Sequence, residues 1–344
     1  MDPFKLRKLG RSGFSVPQMG FGGAPLGDIF ERVTEADAEA TLSAARDVGI
    51  RYYDTAPWYG RGQSEHRFGR FLYRRPRGEV LLSTKVGRIL SAPASRSALE
   101  ANTRARATGG GLPFDHHYDY SYDGIMRSYE DSLQRLGMPR VDMLVIHDLD
   151  FSYHAPELRV AAYLGQLATS GYRALAELKS AGLISAIGVG INELGMIPRF
   201  VELVDIDFFL LALRYTLGEH SALDVEVPLC ADKGIGVVIG AVFSSGLYAT
   251  GPVPGARFNY HEPSPAESDR ARRIETVCTR HGVPLAAAAL QFPLHHPSVA
   301  SVIPGGFRPE HVVGNIRHMR HEIPDALWAE LKHERLIRPD APTP

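Results

Sequence analysis

Cysteine is almost absent: Cys230 and Cys278 are the only two in 344 residues. Their separation fits no zinc or redox motif, so each is expected to be a free, buried small hydrophobe in a cytoplasmic protein. Net charge is nearly absent too, with 38 Lys and Arg against 39 Asp and Glu giving −1. That balance leaves no broad electrostatic case for nucleic acid or an anionic membrane as a partner. No apolar run is long enough to span a bilayer. Met1-Asp2-Pro3-Phe4-Lys5 lacks the apolar core of a signal peptide. A Gly-x-Gly-x-x-Gly after the first strand is missing, because Gly20, Gly22 and Gly23 have the wrong spacing. This argues against a doubly wound nucleotide-binding sheet. Gly109-Gly110-Gly111 has no Lys-Ser/Thr behind it and is no P-loop. The pairs His116-His117 and His295-His296 do not share a helix face, and no Cys or carboxylate spacing completes them, so no metal is expected.

What is present is alternation. Hydrophobic residues make up 44% and charged residues 22%, ordinary for a globular chain. Leu6–Leu9 and Phe14–Gln18 flank Gly10-Arg11-Ser12-Gly13 as a hairpin. Strands are expected at 19–23, 50–53, 80–85, 141–147, 184–189, 208–213, 235–240 and 299–303. Helices are expected at 34–48, 65–72, 122–136, 172–180, 197–204, 223–233, 265–281, 284–292 and 309–318. Several strands are near-continuous apolar runs, as parallel strands buried on both faces should be. Residues 86–121 show no period and read as a long loop. The pattern predicts a (β/α)8 barrel over 1–344 as one domain, with an N-terminal hairpin at 1–18, extended loops at the C-terminal face, and a C-terminal helix and tail at 320–344.

In such a barrel the carboxyl ends of strands carry the chemistry. Asp54, Lys85 and His147 end the second, third and fourth strands, and Tyr59 stands on the turn just past Asp54. Each has a plain alternative: a turn-forming aspartate, a surface lysine, a hydrogen-bonded structural histidine. Together they form a general acid/base set for an alcohol or carbonyl. Tyr59 would move the proton, with its ordinary pKa of about 10 lowered by the Lys85 ammonium. Asp54 would orient the lysine and His147 the reacting oxygen. Such a set needs a hydride partner, which implies a nicotinamide cofactor.

Over nearly its whole length the chain resembles the aldo-keto reductases. The matching pieces are Asp54-Thr55-Ala56 with Tyr59-Gly60, Ser83-Thr84-Lys85, Asp142 with His147-Asp148, Ile187-Gly188-Val189-Gly190, and Ile303-Pro304-Gly305 with Asn315. Residues 120–137 and Arg214-Tyr215-Thr216-Leu217 are similar to the branch containing D-threo-aldose 1-dehydrogenases, L-fucose and L-galactose dehydrogenases and pyridoxal 4-dehydrogenase. The resemblance implies Asp54, Tyr59, Lys85 and His147 as a catalytic tetrad. It implies a cofactor site of Asn192, Tyr215, Phe243, Ser244, Gly305, Arg308 and Asn315, and Trp58 as a substrate wall. Two departures stand out. Gly190-Ile191-Asn192 lacks the family's serine, and Phe243 replaces its ring-stacking tyrosine, unless Phe243 is an ordinary core aromatic. Gly305 and His311 stand where NADP-preferring relatives carry cations, which favours NAD, although Arg308 leaves NADP open. The implied activity is NAD(P)-dependent oxidation of an aldose of the L-fucose or D-threo type to a lactone. Pyridoxal oxidation and aldehyde or ketone reduction are the alternatives. A nucleotide-binding regulatory subunit of a membrane channel is a third class, disfavoured by the intact tetrad and the lack of a charged N-terminal extension. The loops around 86–121, 148–167 and 246–264 should set the substrate, and the oligomeric state stays open.

Overall fold

The computed structural model describes residues 1–107 and 111–344, the backbone alone at 105–107; Gly109 and Gly110 therefore lie outside the described residues. A hairpin of β1 (Leu6–Lys8) and β2 (Ser15–Pro17) opens the chain. Next come β3 (Phe21–Gly22), β4 (Tyr52–Asp54) and β5 (Leu81–Val86). A second hairpin is formed by β6 (Arg88–Ser91) and β7 (Asp115–Tyr118). Then follow β8 (Met143–His147), β9 (Ala186–Ile191), β10 (Phe208–Ala212), β11 (Gly236–Gly240) and β12 (Val299–Ile303). Eight strands form one parallel sheet in the order β12-β11-β10-β9-β8-β5-β4-β3. Parallel bridges Met19–Val302 and Gly22–Gly305 bring its two edges together, so the sheet is a nearly closed barrel.

The barrel is filled by Tyr52, Met143, Val145, Ala186, Phe208, Leu210, Val238 and Ala300. Leu9 and Val16 of the first hairpin belong to the same cluster, so this hairpin plugs the N-terminal mouth. A larger apolar layer lies between the strands and the surrounding helices. Two aspartates just before strands tie the amino ends together. Asp142 accepts from the Leu82 backbone at 2.7 Å and pairs with Arg77 at 2.6 Å. Asp207 accepts from the Ile187 backbone at 2.8 Å and pairs with Lys179 at 2.6 Å.

Local rules explain several helices. Thr34 accepts from the Asp37 backbone and starts the helix Glu35–Asp47. Ser121 caps Tyr122–Leu136, which ends on Gly137 at φ +61°. The expected loop at 86–121 is corrected: it holds β6, the helix Arg96–Ala107 and β7. Helices Phe151–His154 and Glu157–Gln166 also stand where none is expected, and Asp325–His333 supplies the C-terminal helix. Among the described residues, no helix is long and apolar enough to cross a membrane. Both cysteines are free and buried.

Candidate active site

Three strand ends and one turn converge on the carboxyl face of the barrel. Asp54 ends β4 and is fully buried. Its Oδ1 accepts from the Ser83 hydroxyl at 2.7 Å and its Oδ2 from Lys85 Nζ at 2.8 Å. Lys85 also donates to the Thr55 carbonyl at 2.8 Å and has 1% of its side chain exposed. A buried pair of this kind survives only with its remaining hydrogen bonds met, and here both partners have them.

Tyr59 sits on the turn after β4, closed by Gly60 at φ +64°. A Cβ on Gly27, in the loop after β3, would lie 2.4 Å from the Tyr59 carbonyl carbon. Glycine there lets that loop press against the tyrosine backbone. The Lys85 ammonium lies 4.6 Å from the centre of the Tyr59 ring, and the His147 ring stands edge-on at 5.9 Å. The structure thus brings Asp54, Tyr59, Lys85 and His147 together. It corrects one expectation, because the tyrosine hydroxyl is pushed well above its ordinary pKa rather than lowered. Burial is the main cause, and the Asp54 and Asp148 carboxylates add to it. The Arg88 cation pulls the other way but does not offset this.

His147 ends β8. Burial, then the Arg88 and Lys85 cations, hold its pKa well below the usual value, so the imidazole is neutral. Its Nε2 lies 3.3 Å from Asp148 Oδ2, and its Nδ1 is buried with no partner among the described residues. Burial raises the Asp148 carboxyl to about 7, against the pull of Arg88. Asp148 also pairs with the buried Arg88 and accepts from Asn192 Nδ2 at 3.1 Å. Asn192 therefore anchors Asp148 beside His147.

The other candidates divide. Trp58 joins the site, its ring 4.6 Å from His116 and 4.4 Å from the Arg88 guanidinium. Tyr215 does not. Its ring packs on Phe292 at 5.5 Å and His296 at 5.9 Å, in the outer core. Leu213 at φ +70° turns the chain after β10. Arg214 then reaches the Asn192 carbonyl at 2.6 Å while its neighbour Tyr215 is directed into the core. Phe243 is half-buried, and Ser244 Oγ lies 3.0 Å from Thr216 Oγ1. Gly305 bridges to Gly22. Arg308 precedes the helix Pro309–Arg320 and pairs with Glu31 at 2.6 Å, while Asn315 is half-exposed on that helix. The histidine pairs are dispersed: His116 faces Trp58, His117 is exposed, His295 packs on Trp328, and His296 packs on Tyr215. Among the described residues, no three His, Cys, Asp or Glu side chains cluster as a metal site.

Sequence reasoning missed Arg88, Asp148, Tyr118 and Tyr153, although Asp148 adjoins His147 and Arg88 stands three residues past Lys85. The Arg88 guanidinium lies 5.0 Å from the Tyr118 ring and 4.4 Å from that of Tyr153. The donor set also fits a nicotinamide dinucleotide. Phe243 presents a half-buried aromatic ring just past β11, with the buried Ser244 hydroxyl beside it. The helix at Pro309 offers its amino end to a pyrophosphate.

The Aldo/keto reductase family profile matches residues 18–334. Pyridoxal 4-dehydrogenase of Microbacterium luteolum is 42% identical over 96% of this chain and 97% of its own. D-threo-aldose 1-dehydrogenase of a Pseudomonas species is 39% identical over 97% of each chain. The glycerol dehydrogenase structure from Gluconobacter oxydans superposes with a TM-score of 0.73 at 21% identity, covering 100% of this chain and 98% of that one. The chain belongs to the aldo/keto reductase family and is an NAD(P)-dependent oxidoreductase.

Proposed function

We propose that the protein oxidises the cyclic hemiacetal of an aldose, of the L-fucose or D-threo type, to its lactone. The observation that carries this reading is the placement of Tyr59 and His147 beside a wall of rings from Trp58, His116, Tyr118 and Tyr153. Tilted and edge-on to one another, these rings form an apolar cradle that suits a ring-shaped substrate. Bound nicotinamide dinucleotide supplies the hydride acceptor, held by Phe243, Ser244, Gly305 and the start of the helix at Pro309. Tyr59 takes the proton of the anomeric hydroxyl as the C1–H bond breaks and the carbonyl forms. Lys85 keeps its place under the Tyr59 ring through Asp54. Neutral His147 donates its Nε2–H, shared with Asp148 at 3.3 Å, to the reacting oxygen, and Asn192 holds Asp148 in place. The use of NAD rather than NADP is supported by the engagement of Arg308 with Glu31.

A second reading is oxidation of pyridoxal, which also closes to a hemiacetal. The 42% identity to a pyridoxal 4-dehydrogenase favours it. The deciding experiment follows NADH formation with L-fucose, D-arabinose, L-galactose and pyridoxal. Activity confined to reduction of open-chain aldehydes would sink both readings.

A further inference from the structure

Arg88 is the strangest residue on the carboxyl face. It is 1% exposed, lies one glycine past the strand that carries Lys85, and opens the β6–β7 hairpin. One of its nitrogens, Nη2, pairs with Asp148 Oδ2. Its Nε and Nη1 are buried and have no hydrogen-bond partner among the described residues. The rings of Trp58, Tyr118 and Tyr153 lie within 4.4 to 5.0 Å of the guanidinium carbon. Their faces satisfy a cation, and the Tyr153 hydroxyl also approaches the guanidinium, but Nε and Nη1 stay without an acceptor among the described residues.

Leaving such donors unmet costs far more than meeting them gains, so a fold that keeps them needs an acceptor from elsewhere. The same Asp148 oxygen that binds Nη2 lies 3.3 Å from His147 Nε2. One carboxylate oxygen thus joins the guanidinium to His147, and the unmet donors belong to a group that adjoins the catalytic histidine. Above about pH 7 the cation is balanced by ionised Asp148, so a neutral hydroxyl is accepted as readily as an anionic oxygen.

Resting on the hemiacetal reading above, we propose that Arg88 is the specificity anchor of the site. Its Nε and Nη1 donate to a second oxygen of the substrate, on or near the carbon next to the reacting one. In an aldose this is the 2-hydroxyl. In pyridoxal it is the ring phenol oxygen. The anchor explains why a charged residue is caged by rings, and it selects hydroxylated hemiacetals over simple aldehydes.

The test compares matched substrates: D-arabinose with 2-deoxy-D-ribose, which is the same sugar without the 2-oxygen, and pyridoxal with 3-deoxypyridoxal. Each is assayed by kcat/KM in wild type, Arg88→Lys and Arg88→Met. Wild type should prefer the oxygenated member of one pair by about 10- to 150-fold, the factor a charge-assisted hydrogen bond gives. The pair showing it identifies the source of the oxygen. In both variants that ratio should fall towards one, and any general loss of activity cancels in the ratio. If Arg88 only braces Asp148 and the rings, both members of each pair fall together and the ratio survives, which overturns the proposal. Should the variants not fold, the wild-type ratios decide: values near one in both pairs end the anchor. If wild type oxidises neither pair, the hemiacetal reading fails first and the anchor with it.

Discussion

Tyr59 is held protonated by its surroundings, and that sets a direction for the chemistry. Burial, Asp54 and Asp148 all oppose the phenolate, so the hydroxyl is ready to donate in reduction and must lose its proton before serving oxidation. Oxidative kcat/KM should therefore climb from about pH 6 to about pH 10, while reductive kcat/KM stays level across neutrality. Oxidation that slows on raising the pH through this range would remove Tyr59 as the base. Tyr59→Phe should keep dinucleotide affinity, read by fluorescence titration, and lose about 10²–10⁴-fold in turnover, the usual share of general acid–base catalysis. Asp148 adds a second inflection. Its carboxyl, raised to about 7, is ionised above that pH and accepts from His147 Nε2–H, which leaves Nδ1 an acceptor. Below it, the carboxyl carries a proton and can donate to Nε2, leaving the ring proton on Nδ1. Asp148→Asn should erase an inflection near neutrality while the Tyr59-dependent limb persists; an unchanged profile would show that His147 does not sense this carboxylate. Asp54, Lys85 and His147, which the structure gathers around Tyr59, were legible in the sequence because a polar residue at the end of an apolar strand stands out by type alone. The direction of the tyrosine's pKa was not, because it depends on burial. Nor were the left-handed residues that follow three strands, Asp148 at φ +49°, Leu213 at +70° and Ala241 at +49°. None is a glycine, so nothing in the residue type marks the turn that points Arg214 at the site and Tyr215 away from it.

Whole elements escaped for related reasons. Residues 96–104 of the helix Arg96–Ala107 lie largely exposed and, among themselves, show no continuous apolar stripe to read. The β6–β7 hairpin around it takes its order from distant partners: Arg61 donates to the Asn102 side chain and to the Phe114 carbonyl, both at 2.7 Å, and Leu112 donates to Gly60 at 2.9 Å. Helix Glu157–Gln166 does bury Val160 and Leu164, but a wider turn at Leu167–Gly171 shifts the register before Tyr172–Ser180 resumes, so one stretch presents two phases. By contrast Tyr122–Leu136 carries a serine cap, a single apolar face and a glycine stop, and its bounds match the expectation. That helix is tied to its neighbours by a buried ion pair that gives a stability test. Glu65, fully buried on the helix Gln63–Leu72, accepts from Arg135 Nε at 2.5 Å and from the Thr84 hydroxyl at 2.6 Å. Arg135→Met should cost about 3–5 kcal/mol in urea unfolding, because it strands a buried carboxylate. Pairing it with Glu65→Leu should recover much of that loss, since an apolar pair of similar volume is often neutral. A single-variant loss below about 1 kcal/mol, typical of exposed pairs, would show that this contact does not hold the helices.

The eightfold alternation of strand and helix makes the barrel legible at the level of the whole molecule, but not where the ring is weakest. Between β8 and β12 each strand pairs with its neighbour over four or more residues. At β3 only Phe21 and Gly22 pair with β4. The junction of β12 and β3 rests on two bridges and on a few backbone bonds, Gly20 to Val302 at 2.9 Å, Gly22 to Pro304 at 3.0 Å and Val302 to Gln18 at 2.9 Å. Gly20, Gly22 and Gly305 crowd this seam: a Cβ on Gly22 would lie 2.7 Å from the Ile303 carbonyl oxygen. Side chains are excluded, so the seam gains little packing of its own. The same seam holds the proposed dinucleotide contacts at Gly305 and the start of the helix at Pro309, with Glu31 and Arg308 paired across it at 2.6 Å. A ligand seated there joins the two edges of the sheet and stabilises the folded state by mass action. At a hundredfold excess over Kd this amounts to about 2.7 kcal/mol, which for a chain of this size raises Tm by roughly 3–5 °C. NAD⁺ should produce that rise and slow amide hydrogen exchange at 19–23 and 302–306 more than at 236–240. NADP⁺ at equal concentration should do less, because its extra phosphate must compete with Glu31 for Arg308. Glu31→Gln should narrow the gap by freeing the arginine. A larger shift with NADP⁺ in the unaltered protein would mean that Arg308 leaves Glu31 for the phosphate, and the preference would be reversed.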